Sequence, residues 1–417
     1  MNFRSKKTRT SDDISLWTYR VPIAPHILFF CLYNAIYYVP LLLAFTLGYS
    51  EGGVAAVLDF TPTTIFKITE IYLIGTLAFV CGAKLRSLLQ LLVGKKRPLT
   101  GKRPLRIPIT LADKIAIVVL CIIFFASKIA IIPLGVYQAY AFDTDQMTGG
   151  VWSFSMACSE VLLFISILVL FSRYKRRIIA FFALQLISSI NLLHGTRMFF
   201  VIAMIATAIY AYTRGHIPIK RALIVGPIAF FAMLGITYGV FLWRESILPV
   251  GGVSVTKLLS PLIYESVFSQ LSLISAVNHP SVWNDTASVF HLGVDAFLNS
   301  VPRFLTPDKD SLTYISRFNY LSPMGGFNGY AEGLIYFGGF FPIFYFILGA
   351  IADWLYLKAK RSGWWLIIYA YFTADFLFRI MRDGYLIPVK MIINCIQIVL
   401  ILLIWRKVFE MSRPAPC

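Results

Sequence analysis

Charge is scarce in this chain. Asp, Glu, Lys and Arg together make up 14% of its 417 residues, against 58% hydrophobic residues and a mean hydropathy of +0.74. Soluble globular domains carry roughly 25% charged residues, so the composition excludes that class and places the chain in a bilayer. Acidic groups are the scarcest, with 20 Asp and Glu against 38 Lys and Arg and a net charge of +18. Such an excess suits nucleic acid in a soluble protein. Here the basic residues stand in short clusters between apolar runs, as the orientation signals of a multispanning protein do, and no nucleic-acid partner is expected. Cysteine is also sparse. Cys31, Cys81, Cys121, Cys158 and Cys395 fall in apolar runs and Cys417 is the last residue, with no CxxC spacing. That argues against a disulfide framework and a Cys-built zinc site. The sequence contains no HExxH, no P-loop and no GxSxG, which removes the commonest signatures of zinc, nucleotide and serine-hydrolase chemistry. Its DxD pairs on the expected outer side, Asp143 with Asp145 and Asp308 with Asp310, are isolated and read as solvated turns. No metal and no cofactor are expected, and no internal repeat is visible.

What is present is a succession of apolar runs. A helix needs about 20 apolar residues to cross the hydrocarbon core, and about ten runs qualify: 26–48, 64–83, 114–136, 151–172, 178–193, 198–213, 222–243, 331–351, 364–380 and 386–405. The fifth and sixth are the shortest. The basic N-terminus lacks a small-residue cleavage pattern, so the first run reads as a span rather than a removable signal. With the N-terminus inside, the alternate short segments 1–25, 84–114, 173–177, 214–221, 358–361 and 406–417 hold 27 of the 38 Lys and Arg. Lys and Arg in short loops mark the cytoplasmic side. The expectation is a single all-α membrane domain over 1–417, with about ten spans, both termini cytoplasmic and one large extracytoplasmic loop at 243–330.

A connection beyond about 15 residues is uncommon unless it is functional, so the loop is the expected working region. Ser260 and Pro261 start a helix. Leu262, Ile263, Val267, Leu271 and Ile274 then recur at helical spacing until Asn278, His279 and Pro280 stop it. This reads as an amphipathic helix lying on the outer membrane surface. A second short helix is expected near 287–300.

Six arginines fall outside the cytoplasmic pattern: Arg197, Arg244, Arg303, Arg317, Arg379 and Arg382. An arginine near hydrocarbon needs a partner or a ligand. Local pairing offers one explanation, since Asp375 stands four residues before Arg379. Convergence offers the other, because a guanidinium binds phosphate through two parallel hydrogen bonds. The six together point to an anionic lipid, best a lipid diphosphate, with its tail in the bilayer. Glu332, at the start of a span, is the first candidate acid or base; it also suits a helix N-terminus. His291 and Asp295 share a helical face. Within spans, Glu160, Lys67, Glu70 and Lys128 read either as buried structural pairs or as the lining of a path, and Lys67 and Glu70 are spaced to pair with each other.

The residues Pro302-Arg303-Phe304, then Pro307-Asp308-Lys309, then the run GGFNGYAEGLIYFGGFFPIF, together with the turn HGTR ending at Arg197, resemble the Wzy-type polymerases of O-antigen and other bacterial oligosaccharide repeat units. The resemblance implies a metal-independent, inverting glycosyltransferase of the bacterial inner membrane, with a GT-C-like all-helical fold similar to O-antigen ligases. Donor and acceptor would be undecaprenyl-diphosphate-linked oligosaccharides. Membrane lipids and a chain-length regulator would be further partners. In that setting Arg197, Arg244, Arg303, Arg317, Arg379 and Arg382 would hold the diphosphate, with Arg303 also serving catalysis. Glu332, then His291, would orient or deprotonate the attacking hydroxyl. The aromatic side chains of Trp243, Tyr264, Trp283, Tyr314, Tyr320 and Tyr330 would stack on sugars. Two other readings remain, an O-antigen ligase and an oligosaccharide transporter or flippase.

Overall fold

The structure is a computed structural model. It describes residues 23–46, 61–93, 107–131, 150–193, 198–213, 235, 267, 269–279, 289–301, 312–321, 327–360 and 362–411. The protein is all-α. In chain order its helices are α1 (Pro25–Thr46), α2 (Pro62–Val93), α3 (Leu111–Ile131), α4 (Gly150–Phe171), α5 (Arg177–Ser188), α6 (Met198–Thr213), α7 (Val289–Ser300), α8 (Gly329–Phe337), α9 (Phe341–Ala359), α10 (Gly363–Asp383) and α11 (Leu386–Met411).

Among the described residues, five segments are long and apolar enough to cross a membrane: Pro25–Thr46, Pro62–Leu85, Phe154–Phe171, Gly329–Ala359 and Gly363–Asp383. The expectation of ten is thus met in part. Arg177–Leu192 and Met198–Thr213 are shorter apolar helices. At 1.5 Å per residue each falls short of the ~30 Å hydrocarbon core. Apart from residue 235, the expected span at 222–243 lies outside the described residues.

The helix starts follow from local chemistry. Pro62 is the first residue of α2, where its missing N–H costs nothing, and the Thr61 hydroxyl accepts the N–H of Thr64 at 3.1 Å. At α3, the Asp113 carboxylate accepts the N–H of Thr110 at 2.6 Å while the Thr110 hydroxyl accepts the N–H of Asp113 at 3.3 Å. That reciprocal pair is a capping box with an Asp in the reaching position. Gly338, at φ 53°, ends α8, and Pro342 opens α9 one turn later.

Polarity runs opposite to that of a water-soluble protein. Leu73 and Leu77 on α2, Val118 and Ile122 on α3, Ile179 and Leu186 on α5, and Ile401 and Ile404 on α11 face outward, while Ser155, Ser159, Ser166, Asn191, Glu160 and Arg379 are buried. An outer surface of this kind is stable where the solvent is lipid. The tightest crossing joins α2 to α9. A Cβ on Gly82 would strike the Phe346 carbonyl, and one on Gly349 the Phe79 carbonyl, so glycine alone allows the two backbones to meet.

The helices gather their ends into two sets. At one end the Tyr212 hydroxyl donates to the Ile23 carbonyl at 3.0 Å, Arg173 N–H donates to the Ile107 carbonyl at 3.0 Å, and Arg406 pairs with Asp113 at 2.7 Å. At the other, Thr64 donates to Asn278 at 2.8 Å, Asn328 donates to the Met381 carbonyl at 2.6 Å, and Arg382 reaches Met198 Sδ at 3.7 Å. The described parts of the basic segments map to the first end and the described parts of the long polar stretch to the second.

One expectation for that stretch is corrected. The described part of the 261–278 helix is not a surface helix with one wet face. Val267, Leu271 and Ile274 are buried, and so are Ser269, Gln270 and Ser272 on the polar side. Ser272 accepts the N–H of Asn328 at 2.9 Å, so the helix packs into the bundle instead of lying on it. It stops at 278, as expected, with the His279 ring nitrogen Nδ1 2.8 Å from the Ser275 carbonyl. The second short helix is α7.

Candidate functional site at the polar end of the bundle

Three segments meet around Asp295 on α7. This carboxylate is fully buried and accepts the backbone N–H groups of Tyr314 at 2.8 Å and Ile315 at 3.0 Å. These are the first amides of the 3₁₀ turn Tyr314–Leu321, so Asp295 caps it. The Tyr336 hydroxyl of α8 donates at 2.5 Å to Asp295 Oδ2, the oxygen that also accepts from Ile315. One buried acid thereby ties α7, the 3₁₀ turn and α8 together.

On that frame stand several of the expected site residues. His291, one turn before Asp295, lies flat on the Tyr314 ring, with centroids 4.4 Å apart and planes 1° from parallel. The guanidinium of Arg317 sits 5.5 Å from the same ring centre, and its side chain is exposed. His291 is half-buried, so its ring edge remains available. Tyr314 itself is buried. One ring face carries His291, so sugar stacking on that face is closed off.

Glu332 sits one turn before Tyr336, in the first turn of α8, whose N-cap Asn328 accepts the N–H of Tyr330 at 2.7 Å. Its carboxylate is 2% exposed and accepts the N–H groups of Tyr385 and Leu386, which open α11. A carboxylate is the natural partner for a helix N-terminus. Gly384 makes the contact possible: its φ of 74° suits glycine, and a Cβ there would collide with the Glu332 carboxylate. Asp295 and Asp383 lie near enough to act on Glu332 electrostatically. The geometry makes Glu332 a clamp between α8 and α11, which replaces its expected use as a free base.

Arg382 projects from the turn that Glu332 clamps. Its side chain is 28% exposed and lies 3.4 Å from Asp383. Arg379, one turn earlier, does not join it. Its side chain is 6% exposed, its Nε donates to Asp375 at 2.6 Å, and its Nη2 donates to Glu160. The pairing with Asp375 was legible from the i, i+4 spacing; the second carboxylate, from α4, was not. With both partners in place the guanidinium serves the bundle, which corrects the expectation that it holds diphosphate. Tyr330 is corrected as well. It is fully buried, donates to Asn34 at 2.6 Å, and packs between Tyr72 and Tyr345 at 4.5 and 4.7 Å. Its ring is core, not a sugar platform.

Arg197, Arg244, Arg303, Tyr264, Trp243 and Trp283 lie outside the described residues, as does the side chain of Tyr320. Lys67 and Glu70 both face outward from α2 and form no ion pair with each other. Lys128 is buried with its ammonium 5.4 Å from the Phe124 ring centre.

Fold and site together define an all-α, multi-pass membrane protein. Its polar end carries exposed arginine, histidine and buried carboxylates on clamped helix ends. Compared with protein-family models, with curated proteins and with solved structures, the chain finds no match.

Proposed function

We propose that the protein is a bacterial inner-membrane glycosyltransferase that polymerises undecaprenyl-diphosphate-linked oligosaccharide repeat units on the periplasmic side. The observation that supports this reading is the polar patch formed by Arg317 and His291 on the Tyr314 ring, at the end of the bundle where Arg382 also stands, on the turn clamped by Glu332. The patch lies at the end of the bundle opposite the basic segments, which positive-inside bias assigns to the cytoplasm.

In this proposal Arg317 and Arg382, with Arg197, Arg244 and Arg303, which the sequence pattern alone assigns to the outer side, neutralise the diphosphate as the anomeric C–O bond breaks. Fixed donors aimed at developing charge lower a barrier most where water is excluded. His291 is the candidate base for the acceptor hydroxyl, since its ring is fixed by stacking and half-buried. Glu332 is a positioning residue that holds the Arg382 turn. Metal plays no part, the lipid-linked donor bringing its own leaving group. A ligase would use the same chemistry with another acceptor.

A transporter is favoured by a different observation, the ionisable cluster Glu160–Asp375–Arg379 inside two apolar spans, because such residues often mark ion paths. Reconstitution with lipid-linked repeat units tests both readings: longer glycan on the lipid supports the transferase, and movement of unextended units across the membrane supports the transporter.

A further inference from the structure

We propose that the Glu160–Asp375–Arg379 cluster is a binding site for one small univalent cation, a proton or a sodium ion. Its side chains come from α4 and α10, within segments apolar enough to span a membrane, and they are 6%, 0% and 5% exposed. Two carboxylates against one guanidinium leave one negative charge. Among the described residues, Arg379 is the one cation in contact with either carboxylate. An uncompensated charge held away from water is strongly disfavoured, so the cluster must acquire one positive charge to persist.

Among the described residues no further cation contacts the two carboxylates; Arg382, one turn beyond Arg379, lies against Asp383. Tyr33 of α1 and Tyr371 and Asp383 of α10 face the cluster, and Phe199 of α6 offers a ring 5.8 Å from the Arg379 guanidinium. The described charged residues of α11, Arg406 and Lys407, stand at the opposite end of the bundle, where Arg406 is engaged by Asp113. The oxygens to receive a cation are present. Asp375 Oδ2 is buried without a hydrogen-bond partner, and the Thr373 hydroxyl lies beside Tyr369. Asp375 and Thr373 belong to the π turn Phe372–Phe376, a local widening of the helix that recurs at functional sites. Glu160 supplies a further carboxylate, steadied by the Tyr371 hydroxyl at 3.3 Å. Carboxylate oxygens are ligands that hard cations take. A proton would bond to a carboxylate oxygen, and sodium would sit between oxygens; no other bond changes. A cation would bind here whether or not the polar end polymerises glycan.

The test uses the full chain in nanodiscs of zwitterionic lipid, with unfolding temperature followed against pH in choline buffer and against sodium at constant ionic strength. The expected result is a rise of about 3 °C or more on acidification or on adding sodium, lost in Asp375→Asn and in Glu160→Gln, each of which removes the surplus negative charge. A response to pH alone identifies a proton; a response to sodium that fades in acid identifies sodium. No response in the wild type, or the same response in both variants, overturns the proposal. Should neither variant fold, infrared spectra of the wild type decide. A protonated-carboxyl band removed by base, or a carboxylate shift on adding sodium, supports the site; neither signal at any pH overturns it.

Discussion

The carboxylate of Glu332 accepts the backbone N–H of Tyr385, joining the first turn of α8 to the first turn of α11 across a glycine that leaves room for nothing else. Both helix starts, and Arg382 between them, depend on that contact. Removing a buried acceptor strands its donors, at about 1–3 kcal/mol. Glu332→Ala should therefore destabilise the protein by that order, and Glu332→Gln, which keeps one acceptor oxygen, by less. Chemical unfolding in detergent measures both. Unchanged stability in the alanine variant would show that the clamp is not holding the turn.

Arg379→Gln should be far more damaging than Arg317→Gln. The first strands two buried carboxylates, a change on the order of 3–5 kcal/mol; the second alters an exposed side chain. Membrane-integrated yield and unfolding temperature should separate the two variants. Equal behaviour would mean that the buried triad contributes nothing to folding.

Gly82→Leu and Gly349→Leu should each lower stability by roughly 1–3 kcal/mol through overpacking, because the added carbons meet the backbone of the facing helix. Gly339→Ala is the control, since a Cβ there meets nothing. The comparison is a thermal scan of the three variants, and a Gly82 variant as stable as the control would place α2 and α9 further apart.

Much of the architecture was legible in the chain because apolar runs report lipid exposure directly. The starts of α1 and α2 follow from Pro25 and Pro62 at the heads of such runs. What failed to show was anything decided by a distant neighbour. Asp375 and Arg379 could be paired from spacing, but Glu160 lies far away in sequence and meets Arg379 only after α4 and α10 pack. Tyr330 sits in the same polar-flanked run as Glu332, yet its ring turns inward because Gly75 leaves space for it. The amphipathic spacing of 261–278 carried no sign that Gln270 and Ser272 would find the bundle rather than water. Of the segments that positive-inside bias grouped, the described parts of 84–114, 173–177 and 406–417 meet at one end, through Arg406 with Asp113 and Arg173 with Ile107.

That grouping has a direct experimental consequence. In a background with the native cysteines replaced, Lys407→Cys and Phe290→Cys should react with an impermeant maleimide from opposite faces of the membrane. Lys407 lies beside the Arg406–Asp113 pair, and the Phe290 side chain is exposed on α7. Labelling of both from the same face would break the assignment of ends.

The most direct measurement is the length of lipid-linked glycan produced by purified protein reconstituted with undecaprenyl-diphosphate repeat units. Wild-type protein should yield a ladder of extended chains with chelator present. Arg317→Ala and Arg382→Ala, folded and inserted, should each reduce that extension by roughly 10²-fold or more, the scale of losing a donor to developing charge. No extension by the wild type, or full ladders from both variants, would contradict the proposed function.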